Sequence, residues 1–231
     1  MDGPKVHAVV FDFHATLFHF QDGPDWVLHA AADIGRQLDL EGAAVIWSKA
    51  AKARHDPDVV RLQQGRDLSR ASHREATCGW LSHAGLDPEL VEAMYTVLCA
   101  PPFWSPFPDT APVLAELSRR SVPVAVLSNT GWDIRFVFRH YGVERAISSF
   151  VLSYEMAKEK PDPDLFRHAC ELLAADPAST IMVGDDPVAD GGAVFAGMPT
   201  LLLPVQPLRQ RPRGLAAVLG LLEQVGSAGT D

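Results

Sequence analysis

Three short apolar runs in this 231-residue chain each stop at a polar cluster, and that repeated juncture constrains the fold more than any other feature. Val6-His7-Ala8-Val9-Val10-Phe11 ends at Asp12, Val122 to Leu127 ends at Ser128-Asn129-Thr130-Gly131, and Thr180 to Val183 ends at Gly184-Asp185-Asp186. Runs of this length rich in β-branched residues read as buried strands. Ile147 to Leu152 and Thr200 to Leu203 are weaker strand candidates. Helical spacing fills the intervals, at Ala111 to Arg120, Trp132 to Tyr141, Asp164 to Ala174, Val188 to Ala196 and Leu215 to Gln224. Strand and helix in alternation, with strands apolar throughout, predict an α/β fold whose parallel sheet is covered on both faces. Ligands of such sheets bind outside the carboxyl ends of the strands. The residues just past Phe11, Leu127 and Val183 are therefore expected to meet in one crevice.

The stretch from about Asp25 to Ala100 has a different character. It shows helix-like spacing at Trp26 to Leu38, Glu41 to His55, Leu68 to Ala84 and Glu89 to Leu98, and no convincing strand. Gln21-Asp22-Gly23-Pro24 precedes it and the proline-rich segment from Pro101 to Pro108 follows it. Glycine and proline punctuate structure, so a helical domain over residues 21–105 is expected between two parts of the core, 1–20 and 106–231. No internal repeat interrupts this plan. The ends, Met1 to Lys5 and Gly226 to Asp231, are expected to be turn-like and frayed.

Charge and cysteine content narrow the function classes. The formal charge is −9, and a field of that sign repels nucleic acid and anionic membrane. No run approaches the roughly 20 apolar residues of a membrane helix, and Val6 to Phe11 is too short for a signal-peptide core. Cys78, Cys99 and Cys170 form no CxxC pair and are odd in number, which indicates neither a disulfide framework nor a zinc site and fits a reducing cytoplasm. A monomer or homodimer acting on a small molecule is expected. One region runs against the net charge: between Lys49 and Arg74 stand seven Lys/Arg against three Asp. Such a segment is either a solvated helix face or a lid turned toward an anionic substrate.

Four polar elements occur in order: Asp12-Phe13-His14-Ala15-Thr16-Leu17, then Ser128-Asn129, then Lys160-Pro161-Asp162-Pro163, then Gly184-Asp185-Asp186-Pro187-Val188-Ala189-Asp190. Each alone is ordinary. A strand-end aspartate commonly caps a helix, a Ser-Asn pair commonly makes a turn, and a lysine before proline is commonly structural. Together, and at strand ends, they resemble the motif set of the haloacid dehalogenase superfamily over essentially the whole chain. That resemblance implies a Rossmann-like core with a helical cap inserted between the first and second motifs. It implies Asp12 as nucleophile, Ser128 as phosphate contact, Lys160 as the motif lysine, and Asp185, with Asp186 or Asp190, as acids for Mg²⁺. It further implies a phosphatase acting on a small phosphorylated metabolite. The chemistry is reasonable in itself, because a carboxylate approaching a phosphate monoester needs cations between them. Mg²⁺ takes oxygen ligands and keeps several waters, lysine supplies a point charge, and hydroxyl and loop amides supply donors. Thr16, Asn129 and Arg54 are expected to bind substrate. Trp26, Arg61, Arg66, His73, Arg74, Trp132 and Asp133 are further candidates around the same crevice, with His19 beside the first motif.

The first motif departs from the family at two places. His14 stands where the phosphatases carry a second aspartate that moves protons, and Ala15 stands where glycine is usual. Histidine, with a reference pKa of about 6.5, can take over the proton transfer or merely position; at His14 the metal would meet the backbone carbonyl. The substitution keeps two alternatives open, a carbon–halogen hydrolase and a binding protein that has lost turnover.

Overall fold

The computed structural model describes residues 6–204 and 211–223; the expectations for both chain ends and for Gln224 lie outside them. The core is a five-stranded, wholly parallel sheet of β1 (Ala8–Phe11), β4 (Val124–Ser128), β5 (Ser149–Leu152), β6 (Thr180–Gly184) and β7 (Thr200–Leu202), in the spatial order β5-β4-β1-β6-β7. All five expected strands are present. β1 is central, pairing Phe11 with Val126 on one side and Val183 on the other, so the residues following these three strands emerge side by side.

Alternation along β1 divides the core between the two sheet faces. Val9 and Phe11 pack with Val124, Val126, Ile181 and Val183, while Ala8 and Val10 pack with Ala125, Leu127 and Met182. Helices α6 (Thr110–Arg119), α7 (Arg135–His140), α9 (Pro163–Leu172) and α10 (Ala217–Glu223) surround the sheet, with the single turn α8 (Ser153–Met156) after β5. The helix expected over Val188 to Ala196 is instead a turn followed by a 3-10 helix, Gly191–Ala196.

Residues 24–98 hold the expected helices as α1 (Pro24–Asp33), α2 (Leu40–Ala53), α4 (Arg70–His83) and α5 (Pro88–Leu98), and an additional short α3 (Pro57–Leu62). Several starts follow one local rule. Asp56-Pro57, Asp87-Pro88 and Asp162-Pro163 each place an aspartate at the N-cap, accepting from a first-turn amide, and a proline just inside the helix, where its missing N–H costs nothing. The helix expected to reach Leu38 stops at Asp33, and Gly35 follows with φ +69°, a left-handed conformation that ends helices.

Two three-residue strands were not expected. β2 (Phe18–Phe20) and β3 (Trp104–Pro106) pair antiparallel, Phe20 opposite Trp104, so both crossings between core and helical insert run as one ribbon. Phe13, Phe18, Phe20, Trp26 and Trp104 form a chain of ring contacts at 4.8–5.3 Å along it. That aromatic packing anchors the insert over the carboxyl ends of the sheet.

Candidate active site

Asp12 leaves β1 buried, its amide donating to the Val183 carbonyl at 2.9 Å. Lys160, from the loop before α9, reaches under the sheet ends and is equally buried. Its ammonium donates to Asp12 Oδ1 at 2.7 Å, Asp190 Oδ1 at 2.6 Å and the Leu127 carbonyl at 3.1 Å. All three ammonium protons thus have acceptors. The other Asp190 oxygen accepts from the amides of Asp185 and Asp186, both at 3.0 Å. Asp190 therefore ties the lysine to the loop that carries Asp185. Gly184 makes room for this: a Cβ there would lie 2.2 Å from Asp190 Oδ2.

Asp12, Asp185 and Asp190 each place a carboxylate oxygen within 4.8 Å of the others. An all-oxygen donor set suits a hard divalent cation. Asp190 has both oxygens engaged, so Asp12 and Asp185 are the members with capacity to spare. Asp185 Oδ1 accepts only a long 3.4 Å bond from the Thr16 hydroxyl. Electrostatics point the same way. Burial pushes the Asp12 carboxyl up to about 7; Lys160 pulls against this, and Asp190 and Asp185 add to it. Burial and Asp190 also raise Asp185. For Lys160 burial acts downward, but Asp12 and Asp190 outweigh it and hold the ammonium above the ordinary lysine value. Three acids around one lysine leave an excess of negative charge that a cation would relieve.

The structure revises several expected site residues. Asp186 is exposed, and its carboxylate accepts from the amides of Val188 and Ala189 at 2.7 and 2.8 Å. It caps the following turn and is outside the three-acid group, whose third member is Asp190; the His14 ring is outside it as well. Thr16 is fully buried with its hydroxyl on Asp185, so it faces the acids and not a ligand space. Asn129 lines the cavity, but its amide clamps the Lys160 main chain, accepting from Lys160 N at 2.7 Å and donating to Lys160 O at 3.1 Å. Ser128 is buried at the end of β4 beside these groups.

A cavity of about 640 Å³ lies between core and helical insert; the residues next in sequence to Asp12 and Ser128 line it, while the three acids and Lys160 do not. His14, Ala15, Asn129, Thr130 and Trp132 line it from the core; Trp26, Arg54, Arg66, His73 and Trp80 line it from the insert, and His19 and Trp104 from the ribbon. The His14 ring meets Trp104 edge-on at 5.4 Å. Arg61 and Arg74 are turned elsewhere, to Asp58 and Glu92, and Asp133 is held by Arg135. The basic segment is divided, with Arg61 and Arg74 paired to acids outside the cavity and Arg54 and Arg66 on its wall.

A haloacid dehalogenase-like hydrolase family model matches residues 6–194, which contain the whole site except Arg213. The chain belongs to this family. Within it, the haloacid dehalogenase-like chain is 32% identical over 186 residues to a phosphoglycolate phosphatase of Neisseria meningitidis, covering 78% of this chain and 72% of that protein. It is 25% identical over 207 residues to (S)-2-haloacid dehalogenase 1 of Pseudomonas sp., covering 85% and 83%. Its fold matches the L-2-haloacid dehalogenase of Xanthobacter autotrophicus with a TM-score of 0.64 at 23% identity, over 92% and 88% of the two chains.

Arg213 escaped the sequence reading. It is buried, donates to the Ala15 carbonyl and to Pro204 O, and its guanidinium pulls the Asp185 carboxyl downward. Ala15 has φ +62°, a conformation costly for a residue with a Cβ; the arginine's hold on its carbonyl secures the turn. Asp109 fixes that arginine segment by accepting from the amides of Arg213, Gly214 and Leu215 at 2.7–2.9 Å. In sequence Arg213 is the last of three alternating arginines, Arg209, Arg211 and Arg213, and nothing in that run singles out the one that returns to Ala15.

Proposed function

We propose that this hydrolase is a Mg²⁺-dependent phosphatase for a small phosphorylated metabolite, with Asp12 as nucleophile. The observation that carries the reading is the juxtaposition of Asp12 and Asp185 oxygens within 4.8 Å beside a buried lysine already committed to Asp12 and Asp190. Asp12 and Asp185, with the backbone carbonyl of His14, would hold the cation. When bound, Mg²⁺ neutralises charge on the transferring group.

The protein's own groups account for the remaining steps. Lys160 fixes Asp12 through Oδ1, the oxygen that would also face the cation, and Oδ2 is the oxygen proposed to attack phosphorus. The ester P–O bond breaks, its electron pair goes to the leaving oxygen, and that oxygen takes up a proton. Asp12 then carries the phosphoryl group as an acyl phosphate. Water attacks phosphorus, gives up a proton, and frees inorganic phosphate and the Asp12 carboxylate. His14, exposed on the cavity wall two residues after Asp12, is the proposed carrier of these protons. Ser128 donates to the phosphoryl oxygens. The similarity to a phosphoglycolate phosphatase supports this reading.

Carbon–halogen hydrolysis is the second reading. It is favoured by His14 at the place of the usual acid and by the similarity to (S)-2-haloacid dehalogenase 1. One screen separates the two: phosphate monoesters and 2-haloacids, each with Mg²⁺ and with excess chelator, beside an Asp12→Asn control. Ester turnover that needs Mg²⁺ and Asp12 is the expected result. Haloacid turnover that survives chelation would replace the phosphatase reading.

A further inference from the structure

Among the described residues, Arg54 is the cation on the cavity wall that no acid pairs with. Of the two arginines there, Arg66 has a partner at each of its three nitrogens: its guanidinium donates to Gln63 Oε1 at 2.9 Å and Asp67 Oδ1 at 3.2 Å, and stands 3.3 Å from His73 Nε2. Arg54 has no hydrogen bond or ion pair from its side chain among the described residues. Its contacts are two indole rings, Trp80 at 4.3 Å and Trp47 at 5.1 Å from the guanidinium carbon.

Those rings do not wander. The Trp80 N–H is tied to the Ala50 carbonyl at 2.7 Å, and the Trp26 ring, itself tied to the Met94 carbonyl at 2.9 Å, lies 6.0 Å from both Trp47 and Trp80. Attraction to ring faces positions a guanidinium without consuming its N–H donors. An exposed arginine without partners is usually just solvated. Here the two indole rings hold the guanidinium on the cavity wall, and burial with the neighbouring Arg66 lowers its pKa. A fork of donors, aimed on a rigid aromatic base at an apolar-walled space, is the arrangement that recognises a carboxylate or phosphate.

We propose that the substrate carries a second anionic group, distant from the transferred phosphoryl and joined to it by an apolar or aromatic body, and that Arg54 selects it. The inference rests on the phosphatase reading for the identity of the transferred group. It does not rest on it for the anion site. The cavity of about 640 Å³ has room for a body well beyond two carbons, and Trp104, Trp132 and Phe20 give that body apolar walls.

The experiment has two arms. In the first, kcat/KM is measured for 4-carboxyphenyl phosphate and phenyl phosphate with the wild type, Arg54→Gln and Arg54→Lys. The wild type should prefer the carboxylated ester by more than about tenfold, the span of one charge-assisted contact. Arg54→Gln should bring the ratio to near one, and Arg54→Lys should keep part of it. In the second arm, naphthalene-2-carboxylate and the neutral naphthalene-2-carboxamide are titrated against tryptophan fluorescence. The carboxylate alone should bind, and Arg54→Gln should weaken it by more than tenfold. If no ester turns over but the carboxylate binds through Arg54, the anion site stands and the phosphatase reading falls. Equal ratios in wild type and Arg54→Gln, or equal binding of carboxylate and carboxamide, would overturn the proposal.

Discussion

At the scale of single residues, the site is held by one buried carboxylate that is not the proposed nucleophile. Asp190 accepts from Lys160 through one oxygen and from two backbone amides through the other. Asp190→Asn must therefore turn an NH₂ toward one of these donors. Breaking one member of a buried charged network costs on the order of 3 kcal/mol, so urea unfolding should show a loss near that size, with turnover falling in parallel. A loss well under 1 kcal/mol would mean that Asp12 alone suffices to hold the lysine. The acids of the fourth motif were visible in the sequence, but their division of labour was not. Asp186 and Asp190 are four residues apart and chemically identical, and only the turn that buries one and exposes the other tells them apart. His73 gives a second prediction at this scale. Burial, with Arg66 beside it, lowers its pKa to about 4, against a smaller upward pull from Asp67; Tyr95 contacts the ring without changing its charge. The unfolded chain takes up this proton near pH 6.5 and the folded one does not. Stability is thus complete above pH 6.5 and declines as pH falls toward 4, by about 3 kcal/mol from this residue. Unfolding curves at pH 7 and 5 should differ more in the wild type than in His73→Gln.

Between elements, the insert is fastened to the core by close backbone contacts more than by ion pairs. The 3-10 turn Arg66–Leu68 docks on the core through Asp67, whose amide donates to Glu159 at 2.8 Å and whose carbonyl lies 2.7 Å from the Ser153 hydroxyl. Nearby, His73 on α4 sits against Gly131 so closely that an added Cβ would fall 2.0 Å from His73 Cβ. Gly131→Ala must lift α4 from the loop after β4. The expected outcome is intact secondary structure by circular dichroism and a kcat/KM reduced by more than about tenfold, since small displacements of positioning groups have that effect. Wild-type activity in this variant would show that the seating of α4 is immaterial. The helices of the insert were legible because amphipathic spacing extends over ten residues or more. The β2–β3 ribbon was not, because three-residue strands are too short to show a period and their partners lie 84 to 88 residues apart in sequence.

Over the whole molecule, the parallel sheet and the gathering of its strands' polar ends followed from sequence, because parallel strands expose their carboxyl ends together. What came only from the folded chain were the long returns: Arg213 closing on Ala15 and Asn129 closing on Lys160. No helix among the described residues is long and apolar enough to cross a membrane. Attack of Asp12 on phosphorus is the central step of the proposed chemistry. The most direct measurement is to mix the protein with an aryl phosphate and Mg²⁺, quench in acid during turnover, and map the peptides by mass spectrometry. The account predicts one phosphoryl group on Asp12, absent without Mg²⁺ and absent from Asp12→Asn. Ester turnover that continues in Asp12→Asn would contradict it.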